Sequence, residues 1–319
     1  MPGGPAKSEG SNTGVEFADR AVAQLVTRLS TEFVLRGFQL LIDIYGDLRA
    51  GLLVQAINIA NVGYTDGEAA LSRRAVVANG VFPDAMRRPV SVTRLADAAG
   101  LPFETVRRGV RQLIGAGLCK RVPGGVIVPQ ATIERPENLS AALANLGYAR
   151  KFMRDLHETG LISQVPASLT AASGEGGTWI ARLIVRLSSQ YFLRALQLQT
   201  DIYGDVRVGI VALTIISANT AYLDTRGGEG WRYAGIDAPL PDDARRPISM
   251  NRIAESLGLP YESVRRRVER LFEANACVRV HGGLIVPAAL LSTPGAIRAM
   301  LSNVRYAREF ARDLDGISL

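Results

Sequence analysis

Residues 91–129 read SVTRLADAAGLPFETVRRGVRQLIGAGLCKRVPGGVIVP, and residues 249–287 read SMNRIAESLGLPYESVRRRVERLFEANACVRVHGGLIVP. In the first stretch Ser91 suits the cap of a helix running through Leu95 to Ala99. Gly100-Leu101-Pro102 stops it, because glycine supplies the reversal and proline disfavours helix in the residue before it. A second helix is expected over Phe103–Ala116. Val106, Val110 and Leu113 form its buried stripe, and Leu101 and Leu118 close the ends. After Gly117, CKRVPGGVIVP gives two short β-prone runs around Pro123-Gly124-Gly125, a hairpin signal. The second stretch repeats each step: Ser249, then Gly258-Leu259-Pro260, then a helix through Val264, Val268 and Leu271, then CVRVHGGLIVP.

The repetition extends beyond these two stretches. Residues 28–64, RLSTEFVLRGFQLLIDIYGDLRAGLLVQAINIANVGY, align with residues 186–222, RLSSQYFLRALQLQTDIYGDVRVGIVALTIISANTAY. Tyr45 pairs with Tyr203, Arg107 with Arg265 and Tyr148 with Tyr306, all at one offset and with no gap. Copies this long are duplicated domains, since solenoid repeats have periods of roughly 20–50 residues. A duplicated chain carries two similar faces, as a homodimer would. The expected organisation is a disordered tail over 1–14, a first repeat over 15–157, a linker over 158–178 and a second repeat over 179–319.

Apolar residues at Val22, Leu25, Val26, Leu29, Phe33, Leu40 and Ile44 predict a helix over Phe17–Asp47, with Trp179–Asp205 as its counterpart. A second helix is expected over Leu48–Val62, bent near Gly46 and Gly51, and a last one over about Asn138–Leu156. Asp66–Gly80 and Asp224–Gly235 share almost no residues and read as variable loops. His157–Thr178 reads as a Gly-, Ser- and Ala-rich linker.

Composition narrows the function classes. The formal net charge of +7 suits a polyanionic partner without requiring one. Cys119 and Cys277 occupy matching positions and read as equivalent buried thiols, which favours a reducing, cytoplasmic setting. The N-terminus lacks the apolar core of a signal peptide. Ala50–Val62, the most apolar run, is too short and too polar to span a bilayer. The chain has only His157 and His281, and neither has a histidine counterpart. No metal set, nucleophile–base pair or phosphate-binding glycine loop appears, so no catalytic residue, cofactor or metal is expected and the chain is not read as an enzyme. The repeated D-I-Y-G-D-x-R-x-G has two readings, a ligand pocket or carboxylate pair, and a packing and salt-bridge signature. The second is the simpler. Asn61 and Tyr64, matched by Asn219 and Tyr222, read as buried hydrogen-bonding groups ending the second helix.

The order helix, tight turn, helix, glycine-tipped hairpin resembles the DNA-binding domain of bacterial winged helix-turn-helix transcription regulators, here tandemly duplicated in one chain. The resemblance rests on residues 91–129 and their twin, within modules at about 87–130 and 245–288. It implies a mostly α fold with two tandem winged helices, long flanking helices and pseudo-two-fold symmetry. It also implies that the second helix enters the major groove and the hairpin tip touches backbone or minor groove. The apolar stripe leaves Phe103, Thr105, Arg107, Arg108 and Arg111 outward on one module, and Tyr261, Ser263, Arg265, Arg266 and Arg267 on the other. Arginine can bond guanine through two parallel hydrogen bonds, and Thr can contact the thymine methyl. Arg121 and Arg279 flank the hairpin tips, and Arg87, Arg88, Arg245 and Arg246 precede the modules; all six suit phosphates. Glu104 and Glu262 read as first-turn acids facing the helix dipole.

The expected function is a sequence-specific, double-stranded DNA-binding transcription regulator. It would act as a single-chain pseudo-dimer on an imperfect inverted repeat, through intramolecular pairing of the repeats, with any small-molecule effector unknown. The alternative is a plasmid-type replication initiator with two winged-helix domains. A protein-interaction winged helix is a third reading, against which the arginines argue.

Overall fold

The stop at Tyr45 and the restart at Leu48 shape the first half of the chain. The computed structural model describes residues 9–63, 80–99, 102–171, 177–223 and 228–317. Helix α1 (Glu9–Tyr45) ends at Gly46, whose φ of 71° is left-handed backbone that glycine adopts without strain. Asp47 then caps α2 (Leu48–Val62), its carboxylate accepting from the amides of Arg49 (3.4 Å) and Ala50 (3.3 Å). Next come α3 (Val92–Ala99), α4 (Phe103–Gly115), the hairpin β1 (Lys120–Val122) and β2 (Gly125–Ile127), α5 (Gln130–Ile133) and the long α6 (Pro136–Glu158). A short α7 (Ala167–Ala171) leads to the second half. There α8 (Gly177–Tyr203), α9 (Val206–Thr220) and α10 (Glu229–Arg232) precede α11 (Met250–Leu257), α12 (Tyr261–Glu273), β3 (Val278–Val280), β4 (Gly283–Ile285), α13 (Ala288–Leu291) and α14 (Pro294–Asp315). The chain is mostly helical, and its described strands form two antiparallel hairpins.

The repeated DIYGD is therefore a corner. Asp43 and Asp201 sit exposed and accept from the amides of Gln39 and Gln197 one turn earlier, both at 2.8 Å. Gly46 and Gly204 (φ 68°) make the reversal, and Asp47 and Asp205 cap the next helix. Asp205 also pairs with Arg207 (3.0 Å) and with Arg270 on α12 (2.8 Å). Burial alone would raise its carboxyl, but the Arg207 side chain and amide, with Arg270, hold it well below the usual carboxylate range. Helix capping accounts for Asp47 and Asp205, and ion pairing adds to Asp205, whereas among the described residues Asp43 and Asp201 make only a hydrogen bond to a glutamine of their own helix.

The main core lies where α1, α6, α8 and α14 meet, so it draws on both halves. Phe33 stacks on Phe152 (4.9 Å between centroids) as its counterpart Tyr191 stacks on Phe310 (5.3 Å). Phe33 and Phe310 (5.8 Å) and Phe152 and Tyr191 (5.8 Å) close the ring of four. Such pairs contribute roughly 0.5–1.5 kcal/mol each beyond the area they bury. Polar groups cross between the halves in matched fashion. Asn145 Nδ2 donates to Ser188 Oγ (3.0 Å), and Asn303 Nδ2 donates to Ser30 Oγ (2.9 Å).

Several sequence expectations shift. Helix α1 begins at Glu9, inside the stretch expected as a tail, and residues 1–8 lie outside the described residues. The linker is not a plain spacer. Leu161 and Leu169 are buried, Ser168 Oγ donates to Leu314 O (2.7 Å) and Arg150 Nε donates to Leu169 O (2.6 Å); residues 172–176 lie outside the described residues. The second variable stretch is docked onto α1 of the other half. Gln24 N (2.8 Å) and Leu25 N (3.1 Å) donate to Ala234 O, Ile236 N donates to Arg20 O (3.0 Å), and Arg28 donates to Tyr233 O (2.8 Å) and Gly230 O (2.7 Å). Tyr64, residues 66–79 of the first such stretch, and 224–227 of the second, lie outside the described residues.

Candidate nucleic-acid interface

Helix α12 is set by its entry. Ser249 caps α11, accepting from Arg252 N (3.3 Å). Gly258 ends α11 at φ 59°, and Leu259 N returns to Ala254 O (3.0 Å) before Pro260 starts α12. In the first half Ser91 caps α3 through Arg94 N (3.2 Å) and Pro102 starts α4, while Gly100 and Leu101 lie outside the described residues. Val106, Val110 and Leu113 are buried as expected, as are Val264, Val268 and Leu271.

The hairpin is pinned from two sides. Val90 bridges Val126 (N–O 3.2 and 2.9 Å), adding a third short strand segment to β1 and β2. Gly125 is required there, because a Cβ on it would come 2.3 Å from Val90 O; Gly283 meets Ile248 O the same way at 2.4 Å. Behind the hairpin, the buried Asn61 donates from Nδ2 to Arg88 O (2.8 Å) and Val126 O (3.1 Å) and accepts on Oδ1 from Val128 N (2.9 Å). Asn219 makes the same three bonds to Arg246 O (2.8 Å), Leu284 O (3.1 Å) and Val286 N (3.0 Å). These asparagines do more than end a helix: each ties its helix, its hairpin and the segment before the module together. Cys119 and Cys277 are free and buried, as expected, and burial pushes their thiols up to about 12 and about 11.

The expected contact residues divide into three groups. Arg108, Arg111 and Arg121 stand exposed with no ion pair or hydrogen bond from their guanidinium groups among the described residues, and Phe103 (45 % exposed) lies at the start of the same helix. Thr105 and Ser263 are half-buried, and Tyr261 is 41 % exposed. Arg88 and Arg246 are exposed, the latter over the Tyr222 ring at 4.3 Å. Arg266 is exposed and donates to Glu262 O (3.3 Å), and Arg279 is exposed with its guanidinium 6.0 Å from the Phe272 ring.

A second group is already paired. Arg107 donates to Glu104 at 2.7–2.9 Å, which lowers the Glu104 carboxyl and raises the Arg107 guanidinium. Arg265 is held between Glu262 (2.8 Å) and Glu269. The two glutamates are thus more than dipole partners, since each occupies an arginine expected to face DNA.

The third group corrects the sequence reading. Arg87 and Arg245 are not phosphate ligands: their side chains are 2 % and 0 % exposed. Arg87 donates to Phe82 O (3.1 Å) and Asn58 Oδ1 (2.9 Å). Arg245 donates to Leu240 O (2.7 Å) and Asp242 Oδ1 (3.2 Å). At this depth neither guanidinium reaches a phosphate lying on the protein surface. Arg267 is likewise drawn in, half-buried and bonded to Ser263 O and Oγ rather than pointing outward. Exposed cations with no assignment from the sequence include Arg94 and Arg252 on α3 and α11, and Lys120 on β1. Their signal was present in TRL, NRI and CKR.

The two halves also differ beneath α4 and α12. A Cβ at Gly109 would sit 2.4 Å from Leu53 Cδ1, whereas the matching positions hold Arg267 and Val211. The smaller valine accompanies the larger residue. Gly109→Ala gains about 1 kcal/mol of helix propensity but overpacks Leu53, at a cost of roughly 1–3 kcal/mol. We expect it to destabilise the chain, and Leu53→Val to be far less harmful in its presence than alone. Urea unfolding of both single variants and the double tests this; strictly additive effects would show that the two residues do not compete for space.

Among the described residues no group of three or more His, Cys, Asp or Glu is arranged to hold a metal, and no helix is long and apolar enough to cross a membrane. Comparison of the chain with family models, with curated proteins and with solved structures gives no match.

Proposed function

We propose that the chain is a cytoplasmic, sequence-specific double-stranded DNA-binding transcription regulator and not an enzyme. In this reading its two helix–turn–helix–hairpin units are winged helices carried by one duplicated chain, which acts as a pseudo-dimer. The observation that carries it is the row of exposed guanidinium groups on α4 and β1, Arg108, Arg111 and Arg121, with no ion pair or hydrogen bond among the described residues, beside a hairpin fixed in place by Asn61. Side chains near the N-terminal part of such a helix reach base edges, and the hairpin arginine suits phosphate. The second unit offers less charge. Glu269 replaces Arg111, Arg265 is shared by two glutamates, and Arg267 is turned inward. The halves therefore favour related but unequal half-sites, about 34–36 Å apart if both face one side of the duplex.

The test is selection of bound fragments from random DNA, followed by footprinting. A two-part, imperfectly symmetric site supports the reading, and failure to enrich any sequence counts against it. Affinity for the selected site should fall by orders of magnitude between about 50 and 200 mM salt if six or more phosphates are neutralised. A flat anisotropy titration across that range would exclude phosphate contact as the basis of binding.

A further inference from the structure

Between the halves lies a cavity of about 90 Å³, walled by Gln24, Thr27 and Thr31 of α1, Gln199 of α8, Thr220 of α9 and Arg245 before α11. By volume it holds about three waters, or a ligand of roughly four to six non-hydrogen atoms. Its polar lining is unusual in sign. Gln24 Nε2, Arg28 Nε and Arg245 Nη1 belong to lining residues, are cut off from solvent and have no hydrogen-bond partner among the described residues. All three are donors. Gln24 is 6 % exposed and the Arg245 side chain 0 %. Arg28 bonds only two carbonyls, those of Tyr233 and Gly230, and no carboxylate among the described residues pairs with it. Burial accordingly lowers it to about 10. Unmet buried donors are costly, and the half-buried Arg28 adds a positive charge that no carboxylate among the described residues offsets, whereas Arg245 already pairs with Asp242. The rest of the wall is mainly apolar, including Val34, Leu213, Ile216 and Met300, with Ser30, Tyr203 and Asn303 as further polar members.

The matching place in the other half is built differently. Phe192 stands for Val34, Phe82 for Leu240, Arg182 for Gln24 and Leu41 for Gln199. Arg182 donates to Ile133 O (2.9 Å), although its Nε is also unpaired, and Phe192 lies so close to α1 that a Cβ on Gly37 would be 2.3 Å from its ring. The duplicated chain thus puts bulk at one position and leaves smaller side chains around donors at the other.

We propose that this inter-half cavity binds a short-chain carboxylate, with its anionic end on Gln24, Arg28 and Arg245 and its alkyl end among Val34, Leu213 and Met300. A carboxylate supplies acceptors only, which is what three donors lack, and it returns the missing negative charge. The proposal is independent of the DNA reading, and its test contains no DNA.

Butyrate is the probe, titrated calorimetrically into the full chain, with 1-butanol as the neutral comparator of similar shape. Butyrate should bind saturably and raise the melting temperature, and butanol should bind at least tenfold more weakly. Val34→Phe, which copies the other half, should abolish butyrate binding in a chain that keeps its helical circular dichroism. Gln24→Met keeps the shape and removes one donor, so it should weaken butyrate at least tenfold and leave butanol unchanged. The proposal is overturned by absence of saturable butyrate binding, by equal binding of butanol, or by a folded Val34→Phe chain that still binds. If Val34→Phe does not fold, unchanged butyrate affinity in Gln24→Met overturns it equally.

Discussion

On the proposed DNA-binding reading, replacing Arg108 and Arg111 together with alanine should lower the affinity of the chain for its selected DNA by about a hundredfold or more. Each arginine that contacts a base or phosphate contributes about 1–3 kcal/mol to such a complex, and the two lie on one exposed face of α4. Neither guanidinium has a hydrogen bond or ion pair among the described residues, so their loss breaks no such bond and urea stability should change little. The same double change at Arg107 and Arg265 should cost less. These side chains are shared with Glu104, Glu262 and Glu269, and each must leave a carboxylate to reach DNA. Arg87→Ala provides the contrast: it removes bonds to Phe82 O and Asn58 from a buried site, so stability should fall. Anisotropy at fixed salt, with urea unfolding of the same preparations, separates the two behaviours. A double variant at Arg108 and Arg111 that binds as tightly as the parent would remove α4 from the interface.

The contrast also shows where the sequence was legible. The α2 boundaries, the buried stripe of α4 and the hairpin at Gly124-Gly125 follow from short-range pattern: capping, apolar spacing and glycine placement act within a few residues. RRP failed for the opposite reason. Two adjacent arginines look alike in sequence, and it is the partners waiting inside, Phe82 O and Asn58 for Arg87 and Leu240 O and Asp242 for Arg245, that turn these two in while Arg88 and Arg246 stay out. The docking of residues 230–236 on α1 is further from reach, because it joins backbone atoms about two hundred residues apart with no side-chain pattern to announce it. DIYGD stands between these cases. Its glycine turn and aspartate cap are local, whereas the Asp205–Arg270 pair needs the packed α9 and α12.

Asn61→Ala destabilises the chain by about 2–5 kcal/mol, and Asn219→Ala by a similar amount. Each asparagine spends both amide hydrogens and its oxygen on backbone groups. Alanine leaves Val128 N–H and Arg88 O without those partners in the first half, and buried polar groups left unmet cost roughly 1–3 kcal/mol each. Val126 O keeps its bond from Val90 N, so the hairpin loses its anchor before it loses its pairing. Hydrogen exchange should therefore quicken first at Val128 and along β1 and β2. Aspartate is no rescue. It can still accept from Val128 N, but its second oxygen would face the carbonyls of Arg88 and Val126, and its charge would be buried. Folding therefore favours the protonated form and raises the new carboxyl above its unfolded value near 3.9. The native state then binds more protons than the unfolded one, so the penalty in Asn61→Asp grows as pH rises through that region and eases as pH falls. Urea unfolding at about pH 4.5 and pH 7 measures this difference. Equal losses at both pH values would show that the new carboxylate is not buried at the Asn61 site, and an Asn61→Ala chain as stable as the parent would show that the Asn61 bonds do not anchor the hairpin.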